Sequence, residues 1–498
     1  MAGIVFSIKR LFKKKGILNL CRAYGYSSIV TVGPTFLGIF LLLGISFVAK
    51  IGGLSDHNRE LLNCMLTYSI LIALMVTSLF NMVVTRYVSD KIYMGEEEKV
   101  MPSFFGSVLI ELVICMAVYA VFLVLSKTNP IQALLCLWLS MILIVVWTEM
   151  IYMTALRDFQ SIVLSFTIAL MIGFILALLM VFIGKACIET LLLCVIFAYG
   201  LLALSYLKLM LDYFPKSTGS HFTFLSWFDK YPSLAISGFM VRLGLFSHII
   251  IMYFGPLRVQ VEGLFYGAPE YDVPALMAFI SLLITTVSFV VSVEVNFYPK
   301  YSNYYGLFSD KGAIKDIKLA EKEMIDVLRR ELIYLCCKQF FATVLFVVVG
   351  PPIVSFLFPG ISTISLSIFK FLCAAYGIYA IANSLMLIEL YFEDYNGALV
   401  GTILFAVTST AATIWQIMYG NVHYFGLGFA AGSAVFYFFA LIRLNWYTKR
   451  LPYFLLSKQS FLQYKKKGLL TLISKKMEER HNKAEERMNK KVRGEVHV

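Results

Sequence analysis

The chain has 498 residues, 59% of them hydrophobic and 15% charged, with a mean hydropathy of +0.79 and a formal net charge of +13. Soluble domains carry about a quarter charged residues, so this composition excludes a large soluble protein and points to an integral membrane protein. The positive charge gathers at both ends and in the loops between apolar runs, where it reports orientation and attraction to acidic lipid headgroups, not binding of nucleic acid.

The chain opens on a tract in which Lys9, Arg10, Lys13, Lys14 and Lys15 alternate with Ile4, Val5, Phe6, Ile8, Leu11 and Phe12. That pattern predicts a short basic amphipathic helix at the membrane surface, and no cleavable signal is expected after it. The first span is expected over about 24–48, with Gly33-Pro34 breaking its hydrogen-bond ladder where another span must cover the gap. The second, about 60–87, buries Asn81 near one end and sets Arg86 at the boundary. Spans follow at about 102–125 with Glu111 inside, to about 156 with Glu149 inside, and at about 161–183 and 189–213. A polar connection over about 214–230 ends this first half.

The seventh span, within KYPSLAISGFMVRLGLFSHIIIMYFG from Lys230 to Gly255, carries Arg242 at its midpoint. A guanidinium stays charged in proteins and costs roughly 3 kcal/mol or more at the bilayer centre, so it must face protein or a wet cavity. Helical spacing places Tyr231, Gly238, Arg242 and Tyr253 on one face, a polar stripe on a lipid-compatible helix. The loop after it, 256–273, carries Tyr266, Glu270, Tyr271 and Asp272, and the eighth span, about 274–297, contains Glu294. Over 311–335, Ile314, Ile317, Met324, Leu328, Leu332 and Leu335 recur at three- and four-residue spacing, which predicts an amphipathic helix leading into the ninth span through Pro351-Pro352. Three more spans, about 364–391, 398–418 and 425–446, precede a basic tail over 451–498.

This reading predicts an all-α polytopic membrane protein of about twelve transmembrane helices in two six-helix halves, 1–217 and 218–450, with both termini cytoplasmic. The expected outer loops hold only Lys50, Arg59, Lys127, Lys185 and Arg258, while the inner segments hold most of the basic residues. Six plus six spans joined on the inside suggests two parallel repeats, the first and seventh spans being equivalent.

No enzyme pattern is present: there is no phosphate-cradling glycine loop with a lysine, no HExxH and no GxSxG. No cofactor or metal is expected. The nine cysteines have neither CxxC nor Cys/His ligand spacing and read as core hydrophobes. His248 would be catalytic in a membrane acyltransferase, but a hydrogen-bonded interior histidine is the plainer reading. Arg242 is the sharpest candidate site, either lining a cavity or pairing with a carboxylate, with Glu111 the first candidate partner. Glu149 and Glu294 lie nearer span ends, where snorkelling lowers their cost, and Asn81 suits an interhelical hydrogen bond.

The opening MAGIVFSIKRLFKKKGILNLCRAYGYSSIVTVGPTFLG resembles the start of the Pel-type exopolysaccharide exporter family (PelG), through Ala2, Gly3, Ile4, Phe6, Ala23, Tyr24, Tyr26, Gly33 and Pro34. Val5 stands where that family usually has glycine. FDKYPSLAISG, Phe228 to Gly238, and EVNFYPKYSNYY, Glu294 to Tyr305, extend the resemblance into the second half. It implies a transporter distantly related to the multidrug and oligosaccharide-lipid flippases (the MOP superfamily), embedded in the bacterial inner membrane. It also implies an amino-sugar-rich polysaccharide as substrate, a cytoplasmic glycosyltransferase partner (PelF-like) and membrane partners (PelD-like and PelE-like). PelD is the cyclic-di-GMP sensor of that system, so this chain need not bind the dinucleotide. A partly deacetylated, cationic polymer would not be drawn to Arg242, so the acidic, aromatic loop 256–273 is the better expected meeting point and Arg242 a gating or structural pair. The alternatives are a flippase for a lipid-linked oligosaccharide and a non-transporting scaffold for the synthase.

Overall fold

A computed structural model describes residues 38, 41, 43–153, 159–214, 216–309, 312–458 and 468–495. The expected N-terminal amphipathic helix and most of the first span, with Gly33 and Pro34, lie outside the described residues. Among the described residues, eleven helices are long and apolar enough to cross a membrane.

The first half contributes α1 (Asp56–Tyr93), α2 (Val100–Ser126), α3 (Pro130–Met153), α4 (Phe159–Phe182) and α5 (Ile188–Tyr213). Their buried apolar side chains form one cluster, from Leu41 and Ile45 through Phe104, Tyr152 and Tyr206 to Phe224. A short helix, α6 (Leu225–Lys230), then leads into α7 (Pro232–Met252), which starts on a proline at its first turn, where no backbone donor is lost. The second half adds α8 (Pro269–Val291), α9 (Tyr298–Ser309), α10 (Ile314–Leu357), α11 (Thr363–Tyr391), α12 (Tyr395–Tyr419) and α13 (Leu427–Thr448). Val241, Leu245, Phe369, Tyr376, Phe405 and Phe429 build its core, and a smaller cluster around Phe297, Tyr304, Leu328 and Tyr447 closes one end.

Three local features differ from the expectation. The amphipathic segment and the ninth span are a single helix, α10, of 44 residues that runs on through Pro351 and Pro352. Its apolar surface is largely uncovered by protein, with Phe340, Phe341, Val348 and Phe356 all exposed, as suits a helix at the edge of the bundle facing lipid. Between α8 and α9, Ser292–Phe297 winds as a π-helix, so Glu294 sits in a bulge in a nearly continuous rod. Such bulges recur at functional sites.

The loop over 256–273 contains a hairpin, β1 (Val259–Glu262) paired antiparallel with β2 (Phe265–Gly267). It folds back onto the first half: Phe265 is buried in that half's core, and Gly263, at φ +55, packs on the Ser126 carbonyl at the end of α2. The positive φ and the close approach both require glycine. The loop is therefore anchored at Phe265 and Gly263, while Arg258, Val259, Gln260 and Leu264 stay exposed. Asp272 turns back to accept the Ala268 backbone N–H at 2.9 Å, and Tyr271 is fully buried.

The tail is also docked. After α14 (Leu451–Lys458), α15 (Leu469–Glu495) sets its first turn on α6, where the Asp229 carboxylate accepts the Thr471 N–H at 2.6 Å and the Thr471 hydroxyl at 2.7 Å. Two charge-assisted bonds at a helix N-terminus favour the anion there. We call this the linker end of the molecule, and the opposite one the hairpin end.

Candidate functional site: the seam between the halves

Helix α7 packs on α12 within its own half and on α1 across the seam. Along that seam α1 and α7 run antiparallel, as three contacts show. At the hairpin end the rings of Tyr68 and Tyr253 stack at 5.6 Å. At the crossing, Gly238 meets Ser78, whose carbonyl oxygen would lie 2.5 Å from any Cβ at position 238. At the linker end the Arg86 guanidinium lies 5.5 Å above the ring of Tyr231. Tyr231, Gly238 and Tyr253 thus all address α1, as the helical spacing implies, although Tyr231 and Tyr253 are the N-cap and C-cap of α7.

Arg242 is half-buried, one turn from Gly238 toward the hairpin end, and its charge reaches Tyr379 of α11, which stacks on Phe405 at 5.3 Å. Among the described residues it forms no ion pair or hydrogen bond. The expected Arg242–Glu111 pair is not made. Glu111 belongs to the core of the first half, wholly buried, where the Thr148 hydroxyl donates to one carboxylate oxygen and the other has no partner among the described residues. The physical reason is placement: α2 faces the core of its own half, not the seam that carries α7.

Glu149 is 1% exposed in the same half, again with one oxygen unpartnered among the described residues, and Tyr206 of α5 lies within its field. Its sequence neighbour Thr148 serves Glu111. Asn81, half-buried on α1, does not reach another helix through the bonds it makes. The Thr85 hydroxyl donates to its backbone oxygen at 2.7 Å and to its side-chain oxygen at 3.4 Å, within α1. His248 is fully buried between two tyrosines, with Tyr271 Oη 2.8 Å from Nδ1 and Tyr376 Oη 3.3 Å from Nε2. That is the satisfied interior histidine.

Sequence reasoning missed the two ends of the seam. At the hairpin end, Tyr68 donates to the Tyr266 carbonyl at 3.0 Å and sits against Phe265 and Phe122, so the hairpin of one half is keyed into the other. At the linker end, Arg86 bridges Asp90 at 3.0 Å and Glu393 at 3.2 Å, and Asp90 also accepts Trp227 Nε1–H at 2.8 Å. Glu393 lies in the tight turn between α11 and α12 beside Asp394, which caps α12 at Gly397 N and holds Arg443 through two bonds of 2.6 and 2.9 Å. The run Glu393-Asp394-Tyr395-Asn396-Gly397 between two spans was the available signal, being turn and cap chemistry with a spare carboxylate. Among the described residues no group of three or more His, Cys, Asp or Glu side chains could hold a metal ion.

Apolar helices in two bundles thus meet along one seam with polar ends. Solved structures share this fold. A MOP superfamily transporter from Pyrococcus furiosus aligns with a TM-score of 0.58 at 9% identity, over 86% of this chain and 96% of that one. An inward-facing multidrug resistance MATE family transporter of the MOP superfamily aligns at 0.55 and 12% identity, over 87% and 99%. The eukaryotic MATE transporter AtDTX14 aligns at 0.53 and 10% identity, over 92% and 98%. At such identities the likeness establishes the fold alone, that of a multi-pass helical membrane protein. The particular family is settled by sequence. The pattern of the PelG family, by description an exopolysaccharide exporter (EPS-E), matches residues 1–455, and the chain belongs to that family. It is a transporter, not an enzyme. No curated protein matches it.

Proposed function

We propose that this chain conducts a growing exopolysaccharide, Pel-like and rich in amino sugars, across the bacterial cytoplasmic membrane for the biofilm matrix. A PelF-like cytoplasmic glycosyltransferase supplies the polymer, with PelD-like and PelE-like membrane partners. In this reading 1–217 and 218–450 are the two working halves, the linker end and both termini face the cytoplasm, and the tail over 451–498, held through Thr471, lies on the inner face. Synthesis or an ion gradient drives export, because no nucleotide-binding loop is present in the sequence.

The observation that carries the reading is Arg242 of α7, one turn from the Gly238 crossing: a half-buried guanidinium inside an apolar helix, with no carboxylate partner among the described residues. Such a charge is expensive unless water or a substrate solvates it, and a glycan offers hydroxyl and amide oxygens as acceptors. Arg242, Tyr231, Tyr253 and Gly238 line the path, with Gly33 and Pro34 of the first span and Glu294 of the π-helix as further candidates. Glu111, Glu149 and Asn81 support the first half from within.

The test is polymer secretion from cells with and without this chain while the glycosyltransferase stays active. Export predicts that polymer accumulates inside when only this chain is missing. Arg242→Gln, checked for membrane insertion, should cut secretion at least tenfold; unchanged secretion removes Arg242 from the path.

A further inference from the structure

The outer face of α10 changes character along its length. Asp326, Arg329, Arg330, Ile333 and Tyr334 recur at three- and four-residue spacing, so they share one face, and together they line an open cleft of about 290 Å³. Cys337, Phe340, Phe341, Val344 and Leu345 continue that face, and all ten residues are exposed. The opposite face is the buried one, where Met324, Leu328 and Leu335 join the core. From Ile333 to Leu357 the only charged residue is Lys338, whereas the other charges of α10 lie between Lys315 and Glu331. The cleft therefore sits where the helix passes from a charged surface into an apolar one, the level at which a lipid headgroup meets its acyl chains.

The charges in the cleft are of both signs. Arg330 Nε lies 3.8 Å from the Glu331 carboxylate, a loose contact that engages one edge of the guanidinium. Arg329 and Asp326, one turn apart, make no ion pair with each other or with any other described residue. On a wholly water-facing helix such charges need no partner. Here the exposed Phe340, Phe341, Val344 and Leu345 bring acyl chains against the same face, and the headgroup of a lipid so placed falls in the cleft. A phosphodiester suits the arginine fork, an ammonium suits the Asp326 carboxylate, and the Tyr334 hydroxyl can donate to a phosphate or ester oxygen. A purely anionic headgroup would set Asp326 against a like charge, and a quaternary ammonium offers it no hydrogen bond.

We propose that this cleft binds a zwitterionic phospholipid with a primary ammonium, a phosphatidylethanolamine. Arg329 and Arg330 hold its phosphate, Asp326 holds its ammonium, and Phe340, Phe341 and Val344 cover an acyl chain. Helix α10 packs on α8, α9 and α11, so the site lies on the outside of the second half and is independent of what the chain transports.

The test is native mass spectrometry of the purified full-length chain in detergent, titrated with phosphatidylethanolamine, phosphatidylcholine or phosphatidylglycerol carrying the same acyl chains. One phosphatidylethanolamine should bind about fivefold more tightly than either other lipid. Arg329→Gln/Arg330→Gln should weaken it about tenfold, and Asp326→Asn should remove the preference over phosphatidylglycerol. Lys475→Gln/Lys476→Gln, on the exposed part of α15, should leave binding unchanged. All these side chains are exposed, and circular dichroism of each variant checks that the helices are retained. Equal affinity for the three lipids, or equal binding by the Arg329/Arg330 variant and its parent, overturns the site. A preference for phosphatidylglycerol that survives Asp326→Asn overturns the pairing with ammonium. Glycerophosphoethanolamine, the headgroup without acyl chains, should not compete; full competition by it overturns the acyl-chain contact.

Discussion

Gly238 of α7 lies against the backbone carbonyl of Ser78 in α1, and this contact sets how closely the two halves of the molecule meet. A glycine at a helix crossing lets backbones approach where any side chain would hold them apart. Because the blocking atom is backbone, it cannot swing aside as a side chain would. Gly238→Val should therefore destabilise the protein by about 1–3 kcal/mol through overpacking. The check is thermal unfolding in detergent beside Gly306→Ala, where nothing lies within 4 Å and the change should be neutral or stabilising by about 0.5 kcal/mol. An unaltered melting temperature for Gly238→Val would show that the seam is looser than described.

Glu111 takes its single hydrogen bond from Thr148 in a fully buried setting. Thr148→Val keeps the shape and removes the donor, leaving a buried carboxyl group unmatched at about 1–3 kcal/mol. Glu111→Gln keeps volume and bonding capacity, and no cation among the described residues depends on the charge. It should fold within about 1 kcal/mol of the parent. A Glu111→Gln protein that failed to insert would point to a charged partner.

Asp394 joins a helix cap to a bidentate arginine pair. Asp394→Ala leaves Arg443 without its partner and α12 without its cap, an expected loss of about 3–5 kcal/mol. Arg443→Lys should cost less, since it loses the fork geometry but keeps a charge. Reversed magnitudes in denaturation measurements would refute this role of Asp394.

Glu96, in the turn between α1 and α2, has its carboxyl held below the ordinary carboxylate range by hydrogen bonds from Lys91 and Lys99. A carboxylate depressed on folding stabilises the native state above its unfolded pKa and loses that contribution as pH falls through the folded value. Stability should thus drop between about pH 5 and pH 3 by a small amount, because the side chain is 37% exposed. Glu96→Gln should flatten that part of the melting-temperature profile, and an unchanged profile would assign the acid sensitivity elsewhere.

How much was legible in the sequence varied with the kind of force involved. The spans were, because burying roughly twenty apolar residues per helix is a one-dimensional property that composition carries directly. The mutual face of Tyr231, Gly238 and Tyr253 follows from periodicity, whereas the second helix runs on to Tyr93, past the expected end near 87. The opening motif carried the family. Pairing was another matter. Arg242 and Glu111 looked like partners because both are ionisable and mid-span, yet one helix faces the seam and the other faces its own core.

What the sequence by itself determined about this protein is therefore its class: an all-helical, multi-pass transporter chain with a costly arginine in its seventh span. Only the tertiary structure decided who meets whom. Arg86 and Glu393 are 307 residues apart, and Tyr68 and Tyr266 are 198 apart, and no local pattern encodes either contact. The hairpin over 259–267 and the docked tail belong to the same category. Each is held by the surface it lands on, and that surface exists only once the helices have packed.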